Sequence, residues 1–232
     1  MKPLIVVPTY NEKDNISRLI EELLALDSPL HVLVVDDNSP DGTGEIVEVL
    51  GQKSPRVHLL KRPQKNGIGP AYIAGFTWAL ERGYDVMMEM DADFSHQPQY
   101  VPEFLDKILS NDVVIGSRWV KGGGIADWSF GRVALSYLAN LYSRFILWIP
   151  VLDLTGGFTC WRRSVLEAIG LDKVHSDGYC FQIEMKYRAF KKKFKMAEIP
   201  IQFPDRVAGK SKISRKIVYE ALGMVWYLRM TV

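Results

Sequence analysis

From the N-terminus, short apolar runs alternate with longer stretches of helical spacing, which is the pattern of a parallel sheet with crossover helices. Strands are expected over residues 4–7, 31–35, 57–60, 84–90 and 113–116. Helices are expected over 14–26, 43–50, 71–82 (with Gly83 as its C-cap) and 98–109, the last opened by Pro98. The second half is less regular. Residues 130–149 form a long helical candidate in which Leu135, Leu138, Leu141, Tyr142, Phe145 and Ile149 follow helical spacing. Arg132, Ser136, Asn140 and Arg144 step by four along another face. That polar stripe argues against a lipid span and for a helix lying at an interface, although a core helix also needs apolar positions. Exposure of Trp128, Tyr137 and Trp148 would favour a membrane boundary, where amphipathic rings partition. Residues 217–232 are apolar but contain Glu220 and Arg229 and are short for a span, so they read as an amphipathic or partner-seeking helix.

No linker, repeat or low-complexity tract interrupts the chain. The expectation is one α/β domain over residues 1–216, with a mostly parallel central sheet and an interface helix at 128–150. A C-terminal amphipathic helix follows at 217–232, with no transmembrane domain. The 232 residues, 47% apolar and 24% charged, suffice for one sizeable core. The net charge of +2 says little, but its distribution says more. Between residues 186 and 216 many basic side chains, among them Lys186, Arg188, Lys191, Lys192, Lys193 and Lys195, meet only Glu198 and Asp205. Such a segment attracts phosphate groups, anionic lipid or nucleic acid. Cys160 and Cys180 make neither a disulfide framework nor a metal-ligand spacing. Met1-Lys2-Pro3 opens no cleavable signal, so a reducing cytoplasmic location is expected.

The sharpest chemical feature is Asp91-Ala92-Asp93, which ends the apolar run over residues 86–90. If strand geometry persists to the C-terminal lip, residues i and i+2 share a face and both carboxylates enter one crevice. Two carboxylates there suit Mg²⁺ or Mn²⁺, hard cations that a nucleoside diphosphate also binds. A solvated Asp-rich turn carries the same triplet, so neighbouring motifs decide. Pro8-Thr9-Tyr10-Asn11-Glu12 follows the first strand, and residues 35–43 (Val-Asp-Asp-Asn-Ser-Pro-Asp-Gly-Thr) follow the second, both on the same lip. Tyr10 can cover a base, while Glu12 and Asp37 can accept hydrogen bonds from ribose or base. Asp41-Gly42-Thr43 reads as a turn and helix N-cap. No Gly-x-Gly-x-x-Gly follows the first strand. Gly67-Ile68-Gly69 comes after a later one without the rest of the fingerprint, and the P-loop pattern is absent.

Taken in order, Val-Pro-Thr-Tyr-Asn-Glu, the 35–43 motif, Asp-Ala-Asp-Phe-Ser-His-Gln-Pro, Gly-Ser-Arg and Asp-Arg-Val-Ala-Gly-Lys-Ser-Lys resemble the dolichol-phosphate mannose synthases, inverting family 2 glycosyltransferases of the GT-A fold. The match spans Val6 to Lys212. By that resemblance Pro8, Tyr10, Glu12, Val35 and Asp37 would hold the nucleoside, normally guanosine. Asp91, Ala92 and Asp93 would bind donor and metal, Mg²⁺ or Mn²⁺. Ser95 stands where some members have a metal-binding Gln. Arg118 would lie at the reacting phosphates, and Arg206 and Lys212 would close over the donor diphosphate. Arg132 and Ser136 match positions that grip the acceptor phosphate. Residues 155–158 and 178–184 also have counterparts, with Gln182 and Glu184 read as sugar-pocket or supporting residues. The implied partners are GDP-mannose and a dolichyl or polyprenyl phosphate in a membrane, with small membrane subunits as possible further partners and no nucleic acid.

Elementary chemistry fits this division of labour. Negative charge accumulates on a departing nucleoside diphosphate, and a metal on Asp93 with Arg206 and Lys212 would stabilise it. A lipid phosphomonoester, with its second pKa near about 6, is largely ionised at neutral pH and needs no strong general base. Two guanidinium groups, Arg118 and Arg132, could clamp it bidentately. His96 beside the aspartates reads as a loop-ordering residue rather than a base. Rival expectations are transfer of glucose or another sugar from a UDP-sugar, a sugar-nucleotide pyrophosphorylase, and a catalytically silent membrane-binding module. The pyrophosphorylase would need a Gly-rich loop after the first strand, where residues 8–12 carry no glycine.

Overall fold

The computed structural model describes residues 1–204 and 215–232, with side chains of 215–221 outside the description. The strands are β1 (Pro3–Thr9), β2 (His31–Asp36), β3 (Val57–Lys61), β4 (Val86–Glu89), β5 (Val113–Ser117), β6 (Gly124–Ile125), β7 (Thr159–Arg162), β8 (Met196–Pro200) and β9 (Gln202–Phe203). The helices are α1 (Lys13–Leu24), α2 (Thr43–Lys53), α3 (Ile68–Glu81), α4 (Val101–Lys107), α5 (Phe130–Leu147), α6 (Arg163–Ile169), α7 (Gly178–Lys191) and α8 (Arg215–Thr231). Seven strands form the central sheet in the order β3-β2-β1-β4-β7-β5-β8, while β6 and β9 pair separately. Every neighbour in the large sheet is parallel except β7, which runs antiparallel to β4 and β5.

The continuous run Leu4-Ile5-Val6-Val7 reads as a strand buried on both faces, and the layers explain it. Leu4 and Val6 pack in the core beneath α3, α6 and α7, whereas Ile5 and Val7 pack in the core beneath α1, α2 and α4. In α1, Ile16, Leu19, Ile20 and Leu23 are all fully buried, each contributing about 1.5–3 kcal/mol by leaving water. Helix α3 meets β1 through bare backbone, since a Cβ on Gly75 would lie 2.4 Å from Val6 Cγ1.

The chain leaves β1 for β2 and β3 on one side and returns to β4 on the other, making a topological switch point between β1 and β4. Ligands of open α/β sheets sit in the crevice at such a point. Residues 10–12, 37 and 91–93 all follow the C-terminal ends of these strands.

Several expectations change. The β4 ladder starts later than residue 84 because the Tyr84 N–H still donates to Ala79 O at the end of α3, at 3.2 Å. The segment opened by Pro98 begins as a 3₁₀ turn (Pro98–Tyr100) before α4. The elements β7, α6, α7 and β8 had no sequence expectation. In α7 the reason is visible: Gln182, Glu184 and Lys186 are buried polar residues, which erase the apolar period. No described helix is long and apolar enough to cross a membrane.

Candidate active site

The rim after β1 and β2 is one stitched floor. Buried Asp36 accepts Thr9 Oγ1 at 2.9 Å, Ser39 Oγ at 2.6 Å and Ser39 N at 3.0 Å. The N–H groups of Asn11, Glu12 and Lys13 donate to Ser39 Oγ, Thr43 Oγ1 and Asp41 Oδ2 at 3.0, 3.0 and 3.1 Å. Thr43 in turn donates its N–H and hydroxyl to Asp41 Oδ1, so residues 41–43 form the expected turn into α2. On this floor Tyr10 is exposed, with Lys65 Nζ 4.0 Å from its ring centroid. Asp37 is nearly buried and pairs with Arg62 at 3.0 Å. Burial pushes its carboxyl up from the usual range while Arg62 pulls the other way. Glu12 Oε2 accepts Asn15 Nδ2 at 3.0 Å. Pro8 and Val35 face one another across the β1–β2 ladder. The side chains of Val35 and Ala92 belong to the core, so only their backbone can meet a ligand.

The acidic triplet is not strand. β4 ends at Glu89, residues 92–93 turn, and Phe94 takes φ 60°, so strand alternation does not orient the two aspartates. Side-chain bonds do so instead. Tyr72 Oη donates to Asp91 Oδ1 at 3.2 Å, and Ser95 donates its N–H and hydroxyl to Asp93 Oδ1 at 3.1 and 2.6 Å. Ser95 is therefore spent orienting Asp93. Burial raises the Tyr72 phenol well above its ordinary pKa, and the negative charges of Asp91, Glu89 and Asp93 add to the shift. Such a concentration of negative charge fits a divalent cation with Asp91 and Asp93 as the protein's ligands. Among the described residues no group of three or more His, Cys, Asp or Glu side chains could hold a metal. Other ligands would have to come from diphosphate and water. His96 Nδ1 accepts the Asp91 N–H at 2.9 Å, and its ring stacks on Phe158 at 4.7 Å. It orders the loop, as expected.

Beneath the turn lies a buried network that motif reading missed. Glu89 accepts Trp161 Nε1 at 2.7 Å and a bond from Gln182 Nε2. Fully buried Lys186 donates to the carbonyls of Leu154 (3.2 Å) and Gly156. Burial pushes the Glu89 carboxyl up and the Lys186 ammonium down, and the opposite charges partly offset both shifts. The signal for Glu89 was a lone acid inside an apolar run; Lys186 was hidden in the basic stretch. Glu184 accepts Ser176 N at 3.1 Å and pairs with Arg188 at 2.7 Å, so it and Gln182 are engaged inside the protein.

Arg118 is the main correction. Its side chain is 4% exposed, and its fork is taken by Asp153: Nε to Oδ2 at 2.7 Å and Nη2 to Oδ1 at 2.6 Å. Nη2 also reaches Thr155 Oγ1 at 2.9 Å. A guanidinium this buried needs a counter-charge, so a bidentate Arg118 clamp on phosphate gives way to a pre-paired group with Nη1 outside the pair. Burial opposes both charges, yet the pair more than offsets it: Arg118 is raised above, and Asp153 held below, their ordinary pKa values. Arg118, Ser136 and Thr155 line a cavity of about 260 Å³ walled by Leu135, Leu138, Tyr142 and Ile183 between α5, α7 and α8. Arg132 sits over Trp128, with Cζ 3.6 Å from the ring centroid. Arg206 and Lys212 lie outside the described residues.

Helix α5 divides its apolar stripe: Leu141 and Phe145 are exposed, Tyr142 and Ile149 pack on the core, and Asn140 and Ser143 are buried. Tyr137 and Trp148 are exposed and Trp128 is partly so. Among the described residues of the basic stretch, Lys186 is a core residue and Arg188 is paired, while Lys191, Lys192, Lys193 and Lys195 are at the surface.

An acidic turn at the switch point of this sheet suits a ligand site, and similarity to known proteins gives the class, a glycosyltransferase of the GT-A type. Residues 4–170 match the family model "Glycosyl transferase family 2", and the chain belongs to that family. It is 44% identical over 232 residues to the polyprenol monophosphomannose synthase of Mycolicibacterium smegmatis, covering 98% of this chain and 88% of the relative. It is also 44% identical over 222 residues to the undecaprenyl-phosphate mannosyltransferase of Micrococcus luteus, covering 96% and 91%. In fold it is similar to glucosyl-3-phosphoglycerate synthase of Mycobacterium tuberculosis, solved with Mn²⁺, UDP-glucose and phosphoglyceric acid. That likeness has a TM-score of 0.73 at 17% identity and covers 98% of this chain and 79% of that one.

Proposed function

We propose that this protein transfers mannose from GDP-mannose to a dolichyl or other polyprenyl phosphate, with inversion at the sugar, at the cytoplasmic face of a membrane. One observation carries the acceptor half of this reading: an apolar cavity with the paired Arg118 and the Ser136 hydroxyl on its wall, a hydrocarbon-lined space with hydrogen-bond donors at one place for a phosphate. The mannose and the polyprenyl phosphate are further supported by the names of the two relatives.

In this mechanism Tyr10, Glu12 and Asp37, with the backbone at Pro8 and Val35, hold the nucleoside on the stitched floor. Asp91 and Asp93, with the backbone of Ala92 between them, would hold Mg²⁺ or Mn²⁺, which when bound offsets the charge of the departing diphosphate. Arg206 and Lys212 would close over that diphosphate. Arg118, Arg132 and Ser136 receive the acceptor phosphate, which is already ionised and attacks without a side-chain base. His96 is committed to the Asp91 N–H and is not that base. The outward part of the α5 stripe, with Lys191, Lys192 and Lys193, would seat the protein on anionic lipid, alone or with small membrane subunits.

The test is turnover of each sugar nucleotide with Mn²⁺ and a short polyprenyl phosphate. GDP-mannose should be used, and turnover with UDP-glucose alone would remove the mannose assignment. Asp93→Ala should reduce turnover by about a thousandfold with folding retained, and an active variant would remove its assigned role.

A further inference from the structure

The proposed reaction uses Arg132 and Ser136 of the four-residue polar stripe on α5 and leaves Asn140 and Arg144 without a role. Asn140 is 2% exposed and sits where α5 crosses residues 152–156. Its amide is fully used. Nδ2 donates to Ser136 O at 2.9 Å and to Thr155 Oγ1 at 3.0 Å, while Oδ1 accepts Leu154 N at 2.7 Å and Thr155 N at 3.1 Å. The Thr155 hydroxyl that it reaches also accepts Arg118 Nη2, at 2.9 Å. One side chain thus touches the helical turn bearing Ser136 and the hydroxyl that steadies Arg118.

We infer that Asn140 is a positioning residue for the acceptor: it fixes the register of α5 against Arg118, so that Ser136 and Arg132 approach the same phosphate as the arginine. The inference rests on the reading of the cavity as a polyprenyl-phosphate site. The rest of the 152–156 segment has independent supports. Glu198 accepts the N–H groups of Leu152 and Asp153 at 2.8 and 2.9 Å, Asp153 accepts Gly156 N at 3.0 Å, and Lys186 holds the carbonyls of Leu154 and Gly156. Loss of Asn140 therefore frees α5 from a segment that stays in place. The donor floor, built from residues 8–13 and 36–43, shares none of these bonds.

Steady-state kinetics with GDP-mannose, Mn²⁺ and a short polyprenyl phosphate test this. Asn140→Leu should raise KM for the lipid phosphate about tenfold, with KM for GDP-mannose within about twofold of the parent value. Thr155→Val keeps the Asn140 bonds to the main chain but cuts the hydroxyl link to Arg118. It should shift the same KM, and it decides the matter if Asn140→Leu does not fold. The double variant should lose less than the product of the two single effects, because both cut one connection. A lower Tm with both KM values unchanged, or equal rises in both, overturns the positioning role. If the parent protein turns over no polyprenyl phosphate at all, the functional reading itself fails and this role falls with it.

Discussion

Helices α1 and α5 have similar apolar spacing and face opposite media. In α1 the stripe Ile16, Leu19, Ile20 and Leu23 is wholly buried against the sheet. In α5 part of the stripe points away: Leu141 is 47% exposed and Phe145 74%, while Tyr142 and Ile149 pack on the core and Asn140 is held inside by four hydrogen bonds. A period of 3.6 tells which residues share a face, not what that face meets. For α1 the partner is the chain's own core. For α5 the inner face is secured by polar bonds, with Tyr142 Oη donating to Leu222 O of α8 at 3.0 Å, and the outer stripe is left for the proposed lipid surface.

Paired substitutions break this comparison most directly. Ile20→Asp should cost roughly 4 kcal/mol or more, because it buries an unpaired charge, and thermal unfolding will report it. The matched change in α5, Phe145→Glu with Trp148→Glu, should leave stability within about 0.5 kcal/mol. It should instead lower binding to anionic vesicles by about tenfold or more. If both helices respond alike in the unfolding assay, the inside–outside distinction fails.

The lysines sharpen the same contrast. Lys186→Met removes a buried partner of Glu89 and two carbonyl bonds, at a cost of about 3 kcal/mol. Replacing Lys191, Lys192 and Lys193 together with Ala should spare stability. That triple variant should weaken vesicle binding at low salt by about 1 kcal/mol per lysine, measured by co-sedimentation.

The smallest effect concerns pH at the opposite end of the sheet. His31 Nδ1, His58 Nε2 and Tyr84 Oη lie 3.0–3.1 Å from one another. Burial, then Lys2 and Arg56 for the first and His31, Lys2 and Arg82 for the second, hold both imidazoles below their ordinary value of 6.5. Near pH 6.5 the unfolded chain takes up protons that the folded chain refuses. This contribution is therefore complete above that pH and lost as pH falls below it. Tm should drop modestly between pH 7 and 5, and His58→Gln should flatten the drop.

Legibility in the sequence followed the range of the interactions. The strands at residues 4–7 and 31–35 were legible as short apolar runs, and the helix over 14–26 because its apolar residues keep a helical period. The site motifs at residues 8–12, 35–43 and 91–93 were legible because each is contiguous. Asp153, Asn140, Glu89 and Lys186 were not, since each draws its role from partners 14 to 97 positions away. Arg118 was found as a residue but misjudged as a group: its counter-charge comes from 35 positions down the chain.

By itself, then, the sequence determined the alternating strands and helices of the first half, the acidic and aromatic residues along the sheet's rim, and the family, all of which are written in local patterns and short motifs. Only the tertiary structure decided that the Asp91–Asp93 turn is oriented by Tyr72 and Ser95, that Arg118 is already paired, and that α5 shows part of its apolar stripe outward. Burial and pairing are properties of the space between segments, and no single segment encodes what the other will bring to it.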